Sequence, residues 1–177
     1  MAPAEDPKRR QLEELKAQII ATLPGAWLFP PGETLKVGLP GRTVQGFLGP
    51  GPIMLVGERP STGNFGGVAD RLLYRVLEKL GAADAHLTDV IKSRGLVNAP
   101  YPDDIAPHRR IFDKEIEIVR PRRIVAFGQK VYDLLQFSLA GSEIKITQVW
   151  HYSKARWGIT AAATFEKQMQ EALGGAP

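Results

Sequence analysis

Cysteine is absent from all 177 residues. That excludes a disulfide framework, a thiolate zinc site and a cysteine-ligated iron–sulfur cluster. Long apolar runs are missing too. No stretch approaches the roughly 18 residues that a membrane helix needs. The opening segment MAPAEDPKRRQLEELK is charged and has no apolar h-region of a secretory signal. The expectation is a cytosolic, monomeric protein without membrane contact. An excess of one charge is also lacking. The 23 Lys and Arg against 19 Asp and Glu leave a formal +4, a mild bias towards polyanions that nucleic acid would satisfy without proving it.

What is present is an ordinary globular composition, 44% apolar and 24% charged, enough for one domain with a sizeable core. Residues 8–22 read as a helix with Leu12, Leu15, Ile19 and Ile20 on one face. Residues 24–52 are so rich in Gly and Pro that long regular elements are ruled out. They predict ordered loop with one or two short strands, carrying Trp27, Leu28, Phe29, Val44 and Phe47 into the core. This N-terminal part, 1–52, is expected to pack on a core spanning 53–177, the whole forming a single domain.

From residue 53 the pattern becomes regular. Strands are predicted at 53–57, 86–91, 123–128 and 144–150, and helices around 68–80, 103–120, 130–137 and 161–173. Gly81 and Pro121 punctuate two of the helices. Strand and helix alternate four times, which predicts a three-layer α/β/α fold around a central, mainly parallel four-stranded sheet.

In such a sheet, ligands bind beyond the carboxyl ends of the strands. The first strand ends in Gly57-Glu58-Arg59-Pro60-Ser61, the second around Thr88-Asp89, the third at Gly128-Gln129, and the fourth in His151-Tyr152-Ser153. Two carboxylates, a helix N-terminus and a histidine thus converge on one edge. His86 and His108 lack such placement and read as surface or packing residues.

The ordered motifs VGERPS, NFGGVADRLL, LTDVIKSRG, RPRRIVAFG and VWHYSKAR resemble the uracil-DNA glycosylase superfamily. The likeness is nearest to the bacterial and archaeal branch that opens on Gly-Glu-Ala-Pro-Gly and closes on a His-Pro loop, and it covers about residues 53–157. The resemblance implies a monofunctional glycosylase acting on DNA with a damaged base, without metal or organic cofactor. Glu58 would orient water against a sugar of oxocarbenium character. His151 would donate to the departing base. Gly57, Phe65 and Asp89 would hold the flipped base, Phe65 by stacking, although Phe65 reads equally as core. Lys92, Arg94, Gly128, Gln129, Ser153, Lys154 and Arg156 would meet DNA. Trp157 is either a wedge entering the duplex or a buried side chain. No motif lysine suggests a Schiff base, so strand cleavage is not expected.

Three departures matter. The branch carries four cysteines around an iron–sulfur cluster and this chain has none, Ser93 standing where Lys-Cys-Arg is usual. Tyr152 replaces the proline of His-Pro. Asp89 replaces an Asn whose amide donates to uracil O4 and accepts from N3–H, whereas an ionised Asp only accepts. Either Asp89 is protonated in a dry pocket and imitates Asn, or the pocket prefers another base such as hypoxanthine or xanthine. Rival readings are a nucleic-acid binder without catalysis, favoured by Asp89 and Tyr152, and a nucleoside hydrolase. The Gly-Asn-Phe-Gly-Gly loop lacks Rossmann G-x-G-x-x-G spacing.

Overall fold

The computed structural model describes residues 6–96 and 99–174. The ends of the expected 1–177 domain lie outside those residues. Four strands form one sheet: β1 (Ile53–Gly57), β2 (His86–Asp89), β3 (Arg123–Phe127) and β4 (Lys145–Val149). Their order is β2-β1-β3-β4 and every pairing is parallel. Five helices accompany them: α1 (Pro7–Thr22), α2 (Val68–Lys79), α3 (Ala106–Val119), α4 (Gln129–Ser138) and α5 (Ile159–Leu173).

The period-2 alternation of the strands sorts their side chains into two cores. Leu55, Leu87, Val125 and Phe127 pack with α2 and α5. Met54, Val56, Ile124 and Ala126 pack with α1, α3 and α4. With both faces covered, β1, β2 and β3 are almost wholly buried, β4 at the edge only partly so, and the three-layer α/β/α fold follows. Among the described residues no helix is long and apolar enough to cross a membrane.

The local chemistry sets the boundaries. Asp6 caps α1 by accepting from the Lys8 amide at 2.8 Å, with Pro7 at the first helical position. Leu12, Leu15 and Ile19 are buried, but Ile20, expected on the same face, is 61% exposed. One residue advances a helix by about 100°, which carries Ile20 off the buried stripe. Helix α3 starts three residues later than predicted. Asp104 accepts from the Ala106 amide, and Ile105, expected on the apolar face, is exposed. It ends at left-handed Arg120, before Pro121.

Residues 24–52 contain no strand. They form two short 3-10 turns, Gly32–Thr34 and Gly46–Leu48, and one isolated bridge between Ala26 and Ser93. The predicted short strands fail because the backbone bonds in this segment go to scattered partners. The Trp27 amide donates to Lys92 O, Gln45 to Ala83 O and Phe47 to Phe29 O. Burial there comes from side chains instead: Phe29, Val44 and Phe47 are core residues, while Trp27 and Leu28 are partly buried.

Candidate active site

The chain runs from β1 outward to β2, then crosses back to β3. The switch in strand direction therefore lies between β1 and β3, where an open α/β sheet forms its ligand crevice. Glu58 follows β1, and the N-terminus of α4 follows β3. The two sides are tied together, because Lys130 Nζ donates to Glu58 Oε1 at 2.5 Å and the Tyr101 hydroxyl donates to the same oxygen at 2.7 Å. Burial pushes the Glu58 carboxyl up, but the bonds from Lys130 and Tyr101 outweigh it and hold the group below its ordinary value. Glu58 is thus a carboxylate at neutral pH. The guanidinium of the next residue, Arg59, donates to the carbonyls of Arg94, Ala99 and Pro100.

His151 lies two residues past β4 and caps the 3-10 turn Tyr152–Trp157. Its Nδ1 accepts from the Ser153 amide at 3.2 Å, and Ser153 Oγ lies 2.8 Å away. That arrangement makes Nδ1 the acceptor and leaves the ring proton on Nε2. Burial lowers the imidazole's affinity for a second proton, and the Lys154 charge adds to this against the pull of Glu58. His151 is therefore a neutral N–H donor, following β4, while Glu58 follows β1 two strands away.

Asp89 closes β2 opposite Gly57 in the ladder. A Cβ at Gly57 would run into Asp89 Oδ1, so glycine is what lets the carboxyl stand there. Asp89 is 6% exposed. Burial raises it from 3.8 to about 7, with the Glu115 and Glu58 charges adding and Lys92 opposing. Asp89 lines a small cleft with Trp27, Phe29, Phe65, Asn64 and Tyr152. Phe65 is half-buried, its ring edge-on to Tyr74 at 5.1 Å and tilted against Trp27 at 5.7 Å. Asp70 fixes the approach to it by accepting from the Gly66 and Gly67 amides, both at 3.1 Å. Tyr152 stacks on His151 at 4.6 Å and meets Phe127 edge-on. The cleft holds about 30 Å³, room for a water or two. Glu58 and His151 flank it rather than line it.

One expected DNA contact is overturned. Lys92 is wholly buried. Its ammonium donates to Glu115 Oε2 at 2.9 Å, to Thr88 Oγ1 at 2.7 Å and to the Asp89 carbonyl. A buried ammonium needs such partners, and held by them it cannot reach a phosphate. His86 and His108 are packing residues beside it. His86 Nε2 lies 3.6 Å from Glu115, and His108 Nδ1 accepts from the Lys92 amide.

The other expected contacts lie towards the surface. Arg94 sits 5.3 Å over the Trp27 ring and donates to Gly63 O, bracing the 61–64 loop. Gly128 caps α4 with φ 92°, and Gln129 donates to Asp133. Ser153 serves His151. Lys154 and Arg156 are exposed, and Trp157 is 79% exposed, which answers the choice between a projecting and a buried side chain.

Sequence reasoning missed Lys130, Tyr101, Trp27 and Asp70. Lys130 was findable as the second residue of a helix starting at a strand's carboxyl end. Tyr101 and Trp27 sit on loops that carry no periodic signal. Among the described residues, no group of three or more His, Asp or Glu could hold a metal ion.

A comparison with curated proteins finds no significant match. The family model for the uracil DNA glycosylase superfamily matches residues 48–173, taking in the whole sheet and both flanking residues of the cleft. The chain belongs to the uracil DNA glycosylase superfamily.

Proposed function

We propose that the protein hydrolyses the N-glycosidic bond of a deaminated base in DNA, uracil foremost, and thereby serves base-excision repair. Superfamily membership suggests glycosylase-type activity, and the observation that carries the finer reading is His151. With Nδ1 filled by Ser153, its Nε2–H is a fixed donor at the cleft edge, suited to the oxygen of a departing base. In the proposed reaction the bond from C1′ to the base breaks, and its electron pair leaves with the base under that donor. Water adds to C1′ and yields its proton towards ionised Glu58, whose charge also favours the oxocarbenium-like sugar. Phe65 stacks the base and Asp89 reads its edge. Protonated, Asp89 both donates and accepts as uracil requires. Ionised, it selects bases offering N–H groups. In this reading exposed Trp157 enters the duplex and fills the space that the base leaves.

The 30 Å³ cleft means that a base enters only if Tyr152 or Phe65 moves. This favours, as a second reading, a superfamily member that binds DNA without turnover. One assay separates the two: oligonucleotides bearing uracil, hypoxanthine or xanthine are incubated with the protein, then scored for alkali-labile sites and for binding. Wild type should yield abasic product from at least uracil. Glu58→Gln and His151→Ala should each lose roughly 10²–10³ in rate while still binding. Binding with no abasic product from any of the three would refute the glycosylase reading.

A further inference from the structure

Helices α3 and α4 and the residues just after β2 enclose a second cavity, of about 110 Å³. It has no lining residue in common with the base cleft. Ile91, Phe112 and Leu135 form its inner wall, none of them more than 4% exposed. Arg109 and Asp113 are its only charged lining residues. They stand one turn apart on α3, both more than half exposed, and pair with each other at 3.8 Å. The cavity thus offers a buried apolar wall under a mouth whose charges cancel.

Tyr101 also lines this cavity, and it is the residue that connects the cavity to Glu58. Its hydroxyl donates to Glu58 Oε1 at 2.7 Å, and Lys130 Nζ lies over its ring, 4.6 Å from the centroid. Pro100 and Pro102 on either side restrict its backbone, and Arg59 holds the Ala99 and Pro100 carbonyls before it.

A ligand for such a wall is small, apolar and uncharged, since an anion would meet Asp113 as readily as Arg109. An engineered cavity of about 150 Å³ lined by Leu, Ile and Phe takes benzene, so the present volume is on the scale of a single ring. We propose that this cavity binds a small uncharged molecule with one apolar ring, and that its occupancy is sensed at Glu58 through Tyr101. A molecule packed against Tyr101 favours the position from which the hydroxyl reaches Glu58. Such coupling is reciprocal, so the Glu58 carboxylate in turn strengthens binding in the cavity. The site stands without the glycosylase reading; only an effect of the occupant on excision rests on that reading.

The test is benzene binding to the full chain, followed by the methyl NMR signals of Ile91 and Leu135. Wild type should give saturable, one-to-one shifts with benzene and none with benzoate. Ser138→Phe places a ring in the cavity from the last turn of α4 and should abolish them. Glu58→Ala should weaken benzene about 5-fold in the otherwise wild-type chain. In a Tyr101→Phe background, which keeps the ring and loses the hydroxyl, the same change should have no effect. Absence of saturable binding would overturn the proposal and leave the cavity to a side chain of some other protein. Benzoate bound as tightly as benzene would overturn the ligand class, and equal benzene affinity with and without the Glu58 carboxylate would overturn the link to Glu58. None of these measurements uses turnover. Excision of uracil without benzene binding sinks this inference alone, and coupled benzene binding without excision of any damaged base sinks the glycosylase reading alone.

Discussion

Replacing Asp89 by Asn should make the protein's stability far less sensitive to pH. The native carboxyl titrates at about 7 instead of 3.8 because it is buried at the end of β2. Between those values the native state holds a proton that the unfolded chain has released. Stability from this group is therefore complete below pH 3.8 and is lost as pH rises through about 7. The full loss corresponds to about 4 kcal/mol. An Asn amide is nearly isosteric, does not titrate, and escapes that loss. Urea unfolding at pH 5 and pH 8 measures the difference. With a slope near 2 kcal/mol/M, the midpoint of Asp89→Asn should exceed that of wild type by up to about 2 M at pH 8, and by much less at pH 5. The other titrating groups are common to both proteins and cancel in the comparison. If the two midpoints kept a constant separation across this range, Asp89 would be ionised throughout and the reasoning would fail. Uracil release should follow the same titration, declining above about pH 7 in wild type and staying level in the variant.

Other substitutions probe the neighbouring groups. Gly57→Ala drives a Cβ into Asp89 Oδ1. It should cost about 1–3 kcal/mol by thermal unfolding and raise KM, since the carboxyl must leave its place. Lys92→Met leaves Glu115 charged and buried and should destabilise by about 3–5 kcal/mol, whereas Lys92→Met/Glu115→Leu should recover much of that. Lys130→Ala removes a partner that holds Glu58 low, so Glu58 should protonate at higher pH and the acid limb of the rate profile should move upward. An unmoved limb would mean that Glu58 is not the group titrating there.

The sheet was legible because β1, β2 and β3 are buried on both faces and so appear as short runs bounded by glycine and charge, while β4, half exposed at the edge, shows as Ile144 and Ile146 in alternation with polar residues. Four strands and the residues at their carboxyl ends follow from IMLVG, HLTDVI, RIVAFG and IKITQVW, and their parallel sense from the helices between them. The second strand is shorter than its apolar run because the Val90 and Ile91 amides donate to Gly57 and Glu58 carbonyls, turning the chain across the end of β1. The segment 24–52 was not legible. Its glycines and prolines announce irregular backbone, but where Trp27 and Phe29 lodge depends on Phe65 and Tyr74, which sequence spacing does not relate to them. Lys92 was misread for a similar reason: its partner Glu115 stands 23 residues on, and a charge between two strand-end motifs resembles a phosphate contact until that partner is seen.

The inward turn of Lys92 also bears on the site. Its ammonium donates to the carbonyl of Asp89, a residue that lines the cleft. Burial tends to raise Glu115, but the charge of Lys92 prevails and keeps it ionised. The same ammonium only partly offsets burial at Asp89, where the charge of Glu115 works against it. One buried cation therefore sits between two carboxyls, holding one as a structural anion and leaving the other near neutrality. In the proposed function, that division is what lets an aspartate stand where a base edge is to be read. Had Lys92 reached out to solvent, Glu115 would be a second uncompensated acid beneath the cleft.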